Sequence, residues 1–319
     1  MVNIKKNAKI AALVLLCSVF MLVSNAQAAN PPANAVELVA QHLDSIGSAS
    51  VRASLKTRVA QGPVRYTILV GGAGFLDGKA QIASDGKKLI FMMKLPNNEY
   101  RGEQFIFNGE KDSVAFSTAG QSRSILGSFI FVQDAVIREG LLGGVLTTAW
   151  PLSNLDERKA KLNFDGLKKV DGQDLYDVRY RPHRNTDLEI HLYFDPLTYH
   201  HVETTYSYST TQSLTGVSSA TAAGLEPVTS GAPGRTGTNG TSQSGSPETA
   251  QARLTPNRYR LTEKFSDFKT VDGVTLPTHD NIQFSQELQN GRTTLNEWDL
   301  KGLDVSNNVP VDARNFQVK

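Results

Sequence analysis

Apolar and polar residues alternate along most of this chain. In "EQFIFN" Phe105 and Phe107 share one face, and from Leu188 onward Leu188, Ile190, Leu192 and Phe194 fall on one side while Glu189, His191, Tyr193 and Asp195 fall on the other. A period of two is the mark of a strand with one wet face. Asp-Gly or Asn-Gly, the dipeptides that supply the φ > 0 positions of tight hairpins, begin at Asp77, Asp85, Asn108, Asp165, Asp171, Asp272 and Asn290. Repeated hairpins with one solvated face predict an antiparallel meander. "LKKVDGQDLYDVRY" and "FKTVDGVTLPTHD" echo each other over too short a core for a solenoid repeat, and predict two similar hairpins.

Two segments carry a helical period instead. Asn34 can cap a helix running to Ile46, with Val36, Val39, Leu43 and Ile46 three and four apart and Gly47 ending it; His42 is expected to face solvent. The second runs from Ser124 to Trp150, with Phe129, Val132 and Val136 at helical spacing and Leu142, Val145 and Leu146 beyond a break near Gly143-Gly144. Its apolar residues exceed one narrow stripe, so it must be covered on most sides. A curved sheet offers a concave face for it.

Composition changes the picture at two places. Residues 1–28 join three lysines to the apolar run "IAALVLLCSVFMLV" and then Ala26-Gln27-Ala28, the form of a secretory signal peptide cleaved after Ala28. A lipoprotein signal at Cys17 would want a small residue before it, where Leu16 stands. Residues 210–256, rich in Ser, Thr, Gly, Ala and Pro, predict a disordered insertion within a domain spanning 29–319. Losing Lys5, Lys6 and Lys9 takes the formal charge from +2 to −1, so the basic balance belongs to the targeting segment and nucleic acid is not an expected partner. The single cysteine leaves with the same segment, and the exported chain must hold together by its core.

Catalytic motifs fail on detail. "VGGAGFLDGK" lacks the glycine and the Ser or Thr of a phosphate loop, and predicts a bulge or close approach followed by a turn at Asp77-Gly78. Ser84 and Lys87 have serine–lysine spacing but flank a turn. "HLYFDPLTYHHVETTY" is the one stretch with metal-ligand density. If its loop is Pro196 to Thr198, His191 faces Glu203 and Tyr193 faces His201, which gathers His191, His201 and Glu203 as a possible zinc set. A four-residue loop ending at Tyr199 would place Glu203 opposite Leu192 and disperse them. Without the metal, the stretch is a hairpin with a histidine-rich polar face.

The helix "ELVAQHLDSIG" after a signal peptide, the meander, and then "VDGQDLYDVRY", "IHLYFDPLTYHHVETTYSY" and "FSDFKTVDGVTLPTHDNIQF" resemble the LolA-like family of outer-membrane lipoprotein-sorting and periplasmic lipid-carrier proteins. "DPLTY" departs from it in placing Tyr199 where glycine is usual, and the long insertion is a second departure. The resemblance implies an α+β, mainly antiparallel β fold: an unclosed half barrel with helices packed on its concave face. It implies a soluble periplasmic carrier or sensor, not an enzyme and without cofactor, that binds lipoprotein acyl chains or another hydrophobic ligand. The candidate cavity residues are Phe105, Phe107, Phe129, Phe131, Val132, Val136, Leu142 and Trp150, all of which would serve equally well as ordinary core. The alternative is a structural or interaction protein of the cell envelope on the same scaffold, with other envelope proteins as partners.

Overall fold

The computed structural model describes residues 31–115, 123–214 and 256–318. The expected signal peptide, and the expected insertion apart from its first residues and Pro256, lie outside them.

Among the described residues thirteen antiparallel strands form one sheet. The first five are β1 (Thr57–Val70), β2 (Phe75–Asp85), β3 (Lys88–Lys94), β4 (Gly102–Phe107) and β5 (Asp112–Ala115). β6 (Lys161–Val170), β7 (Gln173–Arg181), β8 (Glu189–Phe194) and β9 (His201–Thr210) follow the helical region, and β10 (Asn257–Val271), β11 (Val274–Glu287), β12 (Thr293–Lys301) and β13 (Asp304–Asn307) complete it. The order is β5-β4-β3-β2-β1-β12-β11-β10-β9-β8-β7-β6, so β5 and β6 are the two edges and the sheet does not close. β13 pairs with the first half of β1, beside the stretch that β12 occupies. Lys161, Lys168 and Lys169 and a bulge at Asp165 blunt the β6 edge.

Of the seven Asp-Gly and Asn-Gly pairs among the described residues, five stand at hairpin connections, those at Asp85, Asn108, Asp171, Asp272 and Asn290. At Asp171-Gly172 and Asp272-Gly273 both residues take positive φ, as a type I′ turn demands. The other two pairs are inside strands. Asp165-Gly166 forms the β6 bulge. Asp77-Gly78 lies within β2, opposite Arg65 and Val64, and the turn expected there is instead made by Gly71 to Gly74. Gly78 is needed for approach: a Cβ on it would stand 2.0 Å from the Lys94 carbonyl oxygen.

α1 (Ala35–Ile46) begins and ends as its sequence predicts, with Asn34 accepting from the Glu37 N–H and Gly47 donating to the Leu43 carbonyl. Its inward face is rotated from the expected one. Leu38, Val39, His42 and Ile46 are buried, whereas Val36 is exposed. A short helix, α2 (Ala49–Ser54), follows it.

The second helical region is broken more often than expected, into α3 (Ile125–Val132), α4 (Ala135–Arg138), 3-10 turns at Gly144–Leu146 and Pro151–Asn154, and α5 (Leu155–Arg158). Together these pieces form a plug on the concave face. Nearly all the core is one cluster uniting the plug, α1 and the inward residues of the sheet. A small second cluster lies on the convex side, where Phe316 packs against Ala83, Ile90 and Ile106. The plug turns back on itself at Gly140, with φ 73° and a would-be Cβ 2.2 Å from the Ala149 carbonyl oxygen. Gly140→Ala should cost about 3 kcal/mol, read as a lower urea midpoint with unchanged slope; a midpoint equal to that of the parent would show that the plug can shift to make room.

Candidate functional site

The sheet's inward positions follow from strand parity. β4 contributes Phe105 and Phe107, β8 contributes Ile190, Leu192 and Phe194, and β10 contributes Tyr259, Leu261 and Phe265. All eight expected cavity residues meet the same core cluster. Phe105, Phe107, Phe129, Val136, Leu142 and Trp150 are buried in it, and Phe131 and Val132 pack half-buried at its margin, with the Arg123 guanidinium 3.8 Å above the Phe131 ring. The plug therefore occupies the concave face of the sheet.

Polar groups hold the plug there, and parity on otherwise apolar strand faces is the signal that could have found them. Glu263 alternates with Leu261 and Phe265; its Oε1 accepts from the Gly143 N–H at 2.8 Å and its Oε2 from the Tyr206 hydroxyl at 3.0 Å. Arg58 on β1 donates from Nη1 to the Val145 carbonyl at 2.5 Å, and Ser84 on β2 accepts from the Thr148 N–H at 2.8 Å. Trp150 donates its indole N–H to His42 Nε2 at 3.1 Å, while His42 donates from Nδ1 to the Tyr199 carbonyl at 3.0 Å. His42 is thus a neutral, fully used ring in the core, not the solvent-facing residue that the helix pattern suggested. Burial pushes it down to about 3.

Several buried acids stand on the same face. Burial raises Glu263 to about 7, against the hydrogen bonds from Gly143 and Tyr206. Asp280, on β11 between Phe265 and Leu300, is completely buried with no partner for either carboxylate oxygen, and burial followed by repulsion from Glu263 drives it well above the usual carboxylate range. Glu103 is also raised to about 7 by burial, while accepting from Tyr100 at 2.7 Å and from Ser124.

The possible zinc set does not assemble. The loop holds Pro196 to Tyr199, closed by the Asp195 N–H to the His200 carbonyl, with Tyr199 in the left-handed position at φ 58°. A bulge at Val202 then puts Glu203 opposite Tyr193 and His201 opposite Phe194. His201 consequently points inward, fully buried, 4.6 Å from the Trp150 ring, and burial holds it well below the usual imidazole range. His191 points outward on the other face of the sheet, and Glu203 lies 3.8 Å from Lys264. His191 does meet Asp177 at 2.7 Å, and a ligand atom of Asp165 is within 4.8 Å of both. Lys168 already bridges Asp177 at 2.6 Å and Asp165 at 3.5 Å, and Arg179 bonds Asp165 at 2.7 Å. The cluster is a neutralised ion network. Burial alone would raise Asp177, yet the hydrogen bonds from His191 and Lys168 leave it below the usual range.

Two cavities open beside the plug. One, of about 380 Å³, is lined by Tyr66, Tyr100, Leu126 and Trp298 near β1 and α3. There Trp298 donates to the Tyr100 hydroxyl, which donates to Glu103. The other, of about 530 Å³, lies between α1–α2 and the 3-10 turns of the plug, and Arg58 and Trp150 reach its wall. Among the described residues no helix is long and apolar enough to cross a membrane.

No family model and no curated protein matches the chain. Among solved structures it is similar to a LolA superfamily protein from Nitrosomonas europaea, at 13% identity over 90% of this chain and 99% of that one, with a TM-score of 0.43. It is also similar to an outer membrane lipoprotein-sorting protein domain from Vibrio parahaemolyticus, at 9% identity over 87% and 95% of the two chains and a TM-score of 0.41. A DUF1329 family protein from Desulfovibrio piger aligns at 13% identity over 88% and 95%, with a TM-score of 0.40.

Proposed function

We propose that the protein is an exported, periplasmic carrier or sensor of a hydrophobic ligand, lipoprotein acyl chains or another apolar molecule, and performs no covalent chemistry. The observation that carries this reading is the plug. It is built of pieces no longer than eight residues, yet it supplies a large share of the core against one face of an unclosed sheet. An element so short has little helical stability of its own and depends on the sheet for its structure. Exchanging plug contacts for ligand contacts removes similar apolar area from water, at roughly 25 cal/mol per Å² in either case. The exchange is therefore near balance, as a carrier that must load and release requires. Phe105 and Phe107 on β4 would line the face from which the plug withdraws, and Phe129, Phe131, Val132, Val136, Leu142 and Trp150 are the plug's own apolar residues that would exchange sheet contacts for ligand contacts.

Delipidated protein should take up the apolar dye N-phenyl-1-naphthylamine saturably at about one per chain, and protein taken directly from its host should release acyl chains to mass spectrometry in similar proportion. If neither occurs, the carrier reading fails and the non-carrying structural or interaction protein takes its place.

A further inference from the structure

The larger cavity has a chemistry that the apolar core does not. Arg58 is 4% exposed, and among the described residues no carboxylate pairs with it. Its hydrogen bonds are Nε to Asn307 Oδ1 at 2.7 Å and Nη1 to the Val145 carbonyl at 2.5 Å, two of the five N–H donors a guanidinium carries. Burial alone lowers it, to about 10, with no acid opposing. A desolvated cation without a counter-charge is costly to keep. Here it sits in the wall of a cavity of about 530 Å³, within the ordinary range for small-molecule sites.

The rest of the wall divides by polarity. Leu43, Ile46, Val145 and Trp150 supply an apolar side. Lys56 adds a further cation, and so does Arg52, which already reaches Asp44 at 3.4 Å and donates to the Leu43 and Gly47 carbonyls. The acid lining the cavity, Asp85, is already held by Lys88 at 2.9 Å. The local charge is therefore positive beside an apolar wall, and the guanidinium fork matches the paired oxygens of a carboxylate or phosphate.

We infer that this cleft binds a single-chain amphiphile with an oxyanion head, the head paired with Arg58 and the chain lying along Leu43, Ile46, Val145 and Trp150. The inference rests on the carrier reading only in taking the ligand to be lipid-like; it adds where the head goes and what charge it has. Because Arg58 also holds the Val145 carbonyl, an arriving head would meet the plug at one of its anchors.

The test compares laurate, dodecyl phosphate, methyl laurate and inorganic phosphate by calorimetry on the delipidated exported chain. The tighter of the two anionic amphiphiles, which names the head as carboxylate or phosphate, should bind at least tenfold more tightly than methyl laurate and at least a hundredfold more tightly than inorganic phosphate. Arg58→Gln should erase the preference over the ester. Since that variant also loses a plug anchor and could fail to fold, Ala53→Trp provides a second reading: Ala53 is exposed on α2 and lines the cleft, and filling it should weaken the anionic amphiphile at least tenfold. Equal binding of acid and ester, inorganic phosphate binding as tightly as dodecyl phosphate, a preference that survives Arg58→Gln, or unchanged affinity in Ala53→Trp would each overturn the assignment. Uptake of the neutral dye is read separately, so the carrier reading can stand while this one falls.

Discussion

Asp280→Asn stabilises the protein by about 3 kcal/mol at pH 8 and by almost nothing at pH 4, as urea midpoints at the two pH values should record. Neither carboxylate oxygen of Asp280 has a hydrogen-bond partner, and Glu263 is close enough to oppose its ionisation. The folded state therefore retains a proton that the unfolded chain gives up once the pH exceeds the ordinary carboxylate range. With more protons bound folded than unfolded, stability is full below that range and falls as the pH rises through the folded value. Asn cannot ionise, so its advantage appears only on the alkaline side. Glu263 and Glu103, each near 7, act in the same direction, and each costs about 3 kcal/mol when fully ionised. His42, lowered to about 3, and His201 act oppositely: unfolding lets them take up protons, so stability is gained as the pH rises toward their ordinary value of 6.5. Above that value the buried acids still titrate, as does His191, which its hydrogen bond with Asp177 holds above the usual imidazole range; both lose stability as the pH rises, so the unmodified protein should lose stability from about pH 6.5 to 8. An equal gain from Asp280→Asn at both pH values would show that Asp280 is ionised to the same degree in the folded and unfolded states.

Trp150→Ala should be the most damaging single truncation in the plug, at about 4 kcal/mol. The indole is 2% exposed, packs against His201, and donates the hydrogen bond that satisfies His42 Nε2. Trp150→Phe separates the two contributions. It keeps most of the volume but leaves the imidazole acceptor without its donor, so it should cost about 1–2 kcal/mol. Once the cavity admits water in Trp150→Ala, the burial that depresses His42 is relieved, and its NMR titration should move up toward the ordinary imidazole range. A His42 that stays neutral throughout would mean that α1 and Phe194 alone keep it dry.

Strand parity makes most of the sheet legible in the sequence. The facing of Leu192 and Phe194, the turns at Asp171 and Asp272, and the cap at Asn34 all follow from local chemistry that tertiary contacts reinforce. What was not legible depended on approach between distant segments. Asp77-Gly78 has the letters of a turn, but the need there is for the Lys94 carbonyl to come close, and a glycine serves either purpose. His42 reads as a polar residue on a helix until Trp150, 108 positions later, and the Tyr199 carbonyl supply its partners. The three-residue loop that would have gathered His191, His201 and Glu203 is off by one residue of register, since the bulge at Val202 sends His201 to the opposite face from His191. Arg58 and Glu263 were visible in principle as charges on apolar strand faces, yet only the plug explains why two such charges are kept.

The placement of β1 constrains the order in which the sheet can be completed. β1 to β5 can zip as a local meander, and β6 to β11 as another on the far side of the plug, because each strand in them pairs with its neighbour in sequence. The two halves join only when Arg65–Val70 finds Leu295–Asp299 of β12 and Arg58–Gln61 finds Asp304–Asn307 of β13. Contacts of that sequence separation make folding slow, in the millisecond-to-second range or beyond. Until β12 arrives, β1 and β11 each present a long bare edge that could pair with another chain. The interval before those last strands dock is thus when the protein is most exposed to aggregation, and when a chaperone that shields strand edges would help it most.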